Sequence, residues 1–498
     1  MGVCFGLRKI VDSVSKSIKS AIEFIQIVAE KEISPKGKFI GLLIIKYMYM
    51  LLTYVALHGR MYVPDVSYGV GFVWWKELIA SVVFAVMTFF YTKLHFSKKF
   101  VSNVVYLLYV LSYIPMNSAF SLNDASFGFF ILSTFYYIAF IVAVYEGDYL
   151  SRRISKKWNE RKVVKYAGKV PAIQTLERRC SYHDFYVRVF CVAICLLLII
   201  HKIAYNGLNF TLSISSDSVY ANRSSYREYT LSISGTPIAY VISIVRNLAS
   251  IVMPFYTLVS LIRRRPIGVV IGVLSIFSMY AISNQKANLF SLIVAVALYL
   301  CYRLKILKSF QKLFTIGIIV YMCMCFVEML FGDSFSTMYR LLARREMYLP
   351  ARIATNYYDF FSQNEKLFWR QEAFLLKMFI EPVYDTSVLT LINNNYYAGQ
   401  VPSPNTGMFA EAYMHFGVAG IVIYPVLLSA IINLLEKVYR PFGTTTGILI
   451  AALLSLSLVN VPIVWTETVL GQFLFAFVLW VTTIVPIPRP QKKIFDLF

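Results

Sequence analysis

The sequence predicts an all-α polytopic membrane protein of about 12 transmembrane helices. Its N- and C-termini are expected in the cytoplasm, and a large helical outer loop is expected between spans 9 and 10. Three observations carry this reading: composition, the recurrence of long apolar runs, and the placement of lysine and arginine. Of 498 residues, 58% are hydrophobic and 15% charged, against about 45–50% and about 25% in ordinary soluble domains. The 39 Phe and 36 Tyr are residues that collect at membrane interfaces. Such a composition excludes a disordered chain, a coiled coil and most water-soluble enzymes.

Apolar runs of roughly 18–20 residues, enough to cross about 30 Å of hydrocarbon, fall at 39–58, 75–92, 101–120, 126–145, 186–205, 236–262, 267–284, 288–303, 313–330, 417–436, 446–464 and 469–486. With the N-terminus inside, the inner segments hold 32 of the 48 basic residues and the outer segments 12. Lys46, Arg188, Lys202 and Arg246 lie at or within spans. The net charge of +22 is therefore a topology signal of the positive-inside kind. A nucleic-acid surface would gather its charge in one domain with aromatic platforms, so no nucleic-acid partner is expected.

Four regions follow: a cytoplasmic amphipathic segment 1–38, spans 1–9 over 39–330 with a basic inner loop 146–185, the outer loop 331–416, and spans 10–12 with a basic tail over 417–498. Leu7, Ile10, Val11, Val14, Ile18, Ile22 and Ile25 recur at helical spacing ahead of the first span. They read as an interfacial helix on an anionic leaflet. No cleavable signal peptide is expected, because the first long apolar run starts near residue 39. None of the seven cysteines falls in an outer loop, so no disulfide framework is expected. Cys191/Cys195 and Cys323/Cys325 have ligand-like spacing but read as small apolar residues of packed helices.

Chemistry is expected in the long outer loop, since connections of that length tend to be functional or disordered, and this one is rich in Leu, Phe, Tyr and Trp. It opens with Arg340, Arg344, Arg345 and Arg352. Arg340 and Arg344 share a helix face, and Pro350 stops or kinks that helix near Leu349. Planar guanidinium forks suit bidentate phosphate binding; the alternative is surface arginines paired with Glu346 and Asp359. The loop closes on Asn405, Thr406, Gly407, Glu411, Tyr413, His415, Gly417 and Gly420. Asn405 or Thr406 is the expected N-cap. Glu411 and His415 lie one turn apart, a carboxylate beside an imidazole suited to accepting a proton. The alternative for Glu411 is a structural bond to a neighbouring arginine or tyrosine. Gly417 and Gly420 are expected to permit close helix approach. Arg246 in mid-span 6 is a costly intramembrane charge, and Lys286 sits in the outer turn before span 8.

These residues carry a family likeness. The chain resembles the Wzy-type oligosaccharide repeat-unit polymerases, chiefly in Asn405-Thr-Gly407 followed by Glu411-x-Tyr413-x-x-Phe416-Gly417-x-x-Gly420. Arg344-Arg345, Pro350-Ala, Tyr357-Tyr-Asp-Phe-Phe361 and Asn284-Gln-Lys286 add to it, and the likeness covers roughly residues 230–440. The resemblance implies a GT-C-like polymerase/ligase architecture in a bacterial inner membrane, with the active site facing the periplasm. It implies polymerisation of undecaprenyl-diphosphate-linked oligosaccharides into O-antigen or a related surface polysaccharide. The partners would be the lipid-linked donor and acceptor, the bilayer and a chain-length regulator protein. Glu411 or His415 would be catalytic. Arg340, Arg344, Arg345, Arg352, Arg246, Lys286, Asn405 and Tyr413 would bind substrate. The diphosphate leaving group needs cations rather than a general acid. No nucleotide-sugar site is required and no Asp-x-Asp motif occurs in an outer loop, so no cofactor or metal is expected. An O-antigen ligase, or a lipid-linked oligosaccharide flippase, are the readings this must be separated from.

Overall fold

The computed structural model describes residues 32–58, 71–166, 172–206, 237–283, 286–331, 337–341, 343–370, 380–397 and 407–460, with single positions between 20 and 30 and at 225, 226 and 229. All regular structure among the described residues is helical. In chain order the helices are α1 (Pro35–His58), α2 (Trp74–Lys93), α3 (Lys99–Leu108), α4 (Ile114–Ser121), α5 (Phe127–Tyr166), α6 (Ala172–Asn206), α7 (Pro237–Ile262), α8 (Pro266–Ser283), α9 (Lys286–Arg303) and α10 (Phe310–Phe331). The segment 331–416 contributes α11 (Thr337–Leu341), α12 (Leu349–Gln363), α13 (Val388–Tyr397) and α14 (Met408–Phe416), followed by α15 (Gly420–Tyr439) and α16 (Thr444–Asn460).

Seven stretches are long and apolar enough to cross a membrane: Pro35–Leu57, Trp74–Lys93, Lys99–Ser121, Phe127–Arg153, Arg188–Tyr205, Phe310–Phe331 and Met408–Tyr439. Shorter apolar helices occupy Leu248–Ile262, Pro266–Ile282, Asn288–Arg303 and Thr444–Asn460. Their outward faces are apolar too. Leu78, Val82, Val86, Phe89 and Phe90 of α2 are exposed, as are Val320, Met324, Val327, Leu330 and Phe331 of α10 and Val418, Val422 and Val426 beside or within α15. Helices that are hydrophobic all round and still present that surface are built for lipid, because water would penalise such patches heavily.

The first eleven apolar runs each lie on a helix. The last, 469–486, lies outside the described residues, as do nearly all of the N-terminal amphipathic stretch and most of loop 206–235. The basic segment 146–185, expected as an inner loop, is largely helical where described: α5 continues to Tyr166 and α6 begins at Ala172. Lysine, arginine and glutamate are good helix formers, so the end of the apolar run does not end the helix.

Residues 103–121 are all buried and form a rod interrupted by a π turn over Tyr109–Tyr113 just ahead of Pro115. Proline cannot donate to the preceding turn, and a widened turn accommodates it. Around this rod α5 packs along α15, α3 against α16, and α1 against α10, while α7 binds α6, α8 and α9. Buried ion pairs fasten the frame. Lys46 of α1, fully buried, places Nζ 2.8 Å from Glu77 Oε1 and 2.8 Å from Ser81 Oγ of α2. Lys98 joins Asp148 of α5 (3.7 Å) to Glu436 of α15 (3.3 Å).

Candidate functional site

The site is built on α14, whose residues 408–415 are all buried. The sequence is apolar enough from Met408 to Tyr439 to make one helix, and glycines divide it. Gly417, at φ +57°, takes a left-handed conformation that a side chain disfavours, and ends α14. A Cβ on Gly420 would fall onto the Ala412 carbonyl oxygen, so α15 can turn back tightly against α14 only with glycine there. Of the two glycines expected to permit close approach, Gly420 does so and Gly417 makes the turn. The N-cap is Gly407, in an extended conformation and without a side-chain cap; its carbonyl accepts the Glu411 N–H at 3.0 Å. That replaces the expected Asn405 or Thr406 cap, and Asn405 lies outside the described residues.

Glu411 and His415 have no solvent exposure. Tyr424 of α15 donates its hydroxyl to Glu411 Oε1 over 3.4 Å and accepts the indole N–H of Trp369 over 2.7 Å. The first is long for an O–H···O bond and the second short, so the indole holds the tyrosine more tightly than the carboxylate does. Tyr136 of α5 packs against Phe409, at 5.8 Å between ring centroids, and lies within electrostatic range of Glu411. The backbone N–H of Trp369 donates to His415 Nδ1 at 3.2 Å. A neutral imidazole that accepts at Nδ1 carries its proton on Nε2, which makes His415 a donor at its other nitrogen.

Trp369 is brought here by an unusual turn. Phe368 and Trp369 stand in succession at φ +48° and +63°, a region costing of order 1–3 kcal/mol for each such residue. The Leu367 and Phe368 N–H groups bond the carbonyls of Met414 and His415 at 3.0 and 3.2 Å, satisfying acceptors that the end of α14 leaves open. The strain is offset by these bonds and by the indole's contacts with Tyr424 and Phe416.

The arginines of the loop separate. Arg340, on α11, is exposed; Arg344 is half-buried and Arg345 exposed in a π turn over Ala343–Tyr348. Tyr321 of α10 pins this turn, donating to the Met338 carbonyl at 2.5 Å and accepting the Ala343 N–H at 3.1 Å. Arg345 lies 3.7 Å from Glu346, which also accepts a 2.7 Å bond from Asn460 at the end of α16. Burial raises the Glu346 carboxyl above the usual glutamate value, against the pull of Asn460 and Arg345. Pro350 stands at the first turn of α12 directly after the π turn, as its sequence position predicts. Arg352 forms an ion pair with the buried Asp124 in the α4–α5 turn. Asp359, farther along α12, has its carboxyl raised by burial, with Arg352 opposing.

The remaining basic candidates stand on other helices. Arg246 is half-buried on α7, with His201 of α6 within electrostatic range. Lys286 opens α9, and its side chain lies outside the described residues. The structure thus places Glu411, Tyr413 and His415 on α14, with Arg340 on α11 and Arg344 and Arg345 in the π turn that follows it. Arg352 is taken up by Asp124. Trp369, Tyr424 and Asp124 are the residues that sequence reasoning missed. Trp369 alone carried a signal, an indole N–H needing a partner. Compared with protein families, characterised proteins and solved structures, the chain matches none.

Proposed function

We propose that this protein is a membrane glycosyltransferase that polymerises undecaprenyl-diphosphate-linked oligosaccharide repeat units into O-antigen or a related surface polysaccharide. In this reading the chain crosses a bacterial inner membrane twelve times, with both termini cytoplasmic and α11–α14 on the periplasmic side. The supporting observation is the carboxylate of Glu411, withdrawn from solvent and held by the neutral Tyr424 hydroxyl at the foot of a loop that carries arginines.

The step is a displacement at an anomeric carbon. A hydroxyl oxygen of the acceptor's terminal sugar bonds to that carbon, the bond from carbon to the diphosphate oxygen breaks, and undecaprenyl diphosphate leaves as an anion. The hydroxyl proton passes to Glu411. A buried carboxylate within an apolar helix can take this proton as a general base. His415, with its proton on Nε2, serves as a hydrogen-bond donor rather than as the base. Arg340 and Arg344, four residues apart at the head of the loop, are the arginines assigned to the departing diphosphate.

A gel of surface polysaccharide from a deletion strain tests the reading. Lipid A-core bearing a single repeat, with no longer ladder, is expected. Loss of the single-repeat species as well indicates a ligase or flippase instead. The purified protein is expected to work in EDTA, and a strict need for a divalent ion contradicts the proposed chemistry.

A further inference from the structure

Beside α14 the outer face of the loop carries aromatic rings around one carboxylate. Asn356 of α12 donates to the Tyr397 hydroxyl of α13 at 2.9 Å, which fixes how the two helices meet. Asp359 stands almost one turn beyond Asn356 and Tyr396 next to Tyr397, so this bond sets carboxylate and ring on neighbouring surfaces. Tyr358 packs on Tyr413 of α14, 4.8 Å between centroids, and Tyr413 is two residues from Glu411. Lys366 holds its ammonium 5.2 Å over the Tyr413 ring while donating to carbonyls at the end of α12. Tyr396 remains 38% exposed.

We propose that Tyr358, Asp359 and Tyr396 form a subsite for a hexopyranose ring beside α14. The inference rests on the glycosyltransferase reading and adds to it where a sugar of the lipid-linked chain sits. Sugar rings present C–H faces that pack on aromatics and vicinal hydroxyls that a carboxylate accepts as paired, charge-assisted hydrogen bonds. Asp359 suits the second task. It is partly withdrawn from water, which pushes its carboxyl above the ordinary aspartate range despite Arg352, and a desolvated carboxylate gains most from new donors. Asp359 also acts electrostatically on both Tyr358 and Tyr396, in keeping with a shared patch. A carboxylate there favours neutral or amino sugars over acidic ones.

Saturation-transfer NMR on the full-length protein in nanodiscs tests this, with methyl glucoside, galactoside, mannoside and N-acetylglucosaminide as probes. Transfer to the ring C–H protons of at least one probe is expected. It falls about fivefold or more in Asp359→Asn and in Tyr396→Ala and persists in Tyr396→Phe, which keeps the ring. Tyr396 is partly exposed, so its replacement leaves the fold in place. No transfer from any probe to the wild type, or equal transfer in wild type and variants, overturns the subsite. The readout needs no turnover. Polymerisation without this binding removes the subsite alone, whereas binding in a protein whose deletion leaves the polymer ladder intact removes the enzymatic reading alone.

Discussion

Glu77 and Glu411 are both buried carboxylates in apolar helices, and they are held in opposite ways. Glu77 faces an ammonium at 2.8 Å, with Ser81 adding a second donor. Glu411 meets the hydroxyl of a tyrosine that is itself anchored by an indole. The first arrangement neutralises a charge in place and leaves it little chemistry. The second sets a carboxylate beside neutral hydrogen-bonding side chains. Buried ionisable groups are functional candidates, and the charge of the neighbouring partner separates the two.

The largest expected effect breaks the first arrangement. Lys46→Met leaves Glu77 unpaired in an apolar interior and is expected to cost about 3–5 kcal/mol, read as a fall in thermal midpoint in detergent. Lys46→Met with Glu77→Met is expected to recover most of that loss. If the single variant is as stable as the wild type, Glu77 is not held as described. Next comes Arg352→Ala, which strands Asp124. A loss of about 1–3 kcal/mol is expected, discounted because the guanidinium is partly exposed. Arg340→Ala, at an exposed position, is expected to leave the thermal midpoint within the small range of surface changes and to shorten the polymer. Equal destabilisation by both would erase the division between latch and ligand arginines.

Tyr424→Phe sharpens the second arrangement. Removing the hydroxyl breaks two hydrogen bonds of about 1 kcal/mol each, to Glu411 and from Trp369; turnover is expected to fall about five- to tenfold, and an unaltered rate would show that the hydroxyl does not position Glu411. The smallest effect concerns Glu346. Burial raises its carboxyl in the folded state, so the folded protein binds this proton more tightly than the unfolded chain does. The group therefore costs no stability below the ordinary glutamate value, and stability declines as pH rises from there through the raised folded value. Glu346→Gln is expected to remove that decline, giving a slight gain at neutral pH and none in acid. A thermal scan across pH reads the difference, and parallel curves would contradict it.

Helix positions were legible because a span needs a continuous apolar run, and the runs align with α1–α10, α15 and α16. The extension of α5 to Tyr166 and of α6 back to Ala172 was not, since polar helix formers leave no boundary mark. The Glu411–His415 spacing already implied one helix face. Their partners did not follow from spacing, because Trp369 is 46 residues from His415 and 55 from Tyr424. Arg352 teaches the same lesson: its partner Asp124 is 228 positions away, whereas the sequence offered only the nearby Glu346 and Asp359. Local pattern finds the groups capable of chemistry, and the fold decides which are already engaged.

The account turns on Glu411 as the proton acceptor. Purified Glu411→Gln protein, supplied with lipid-linked repeat units in nanodiscs, keeps a neutral group of the same shape that still accepts from Tyr424. A loss of at least ~100-fold in chain extension, with the thermal midpoint unchanged, is the predicted result. Polymer of wild-type length at a wild-type rate would contradict it.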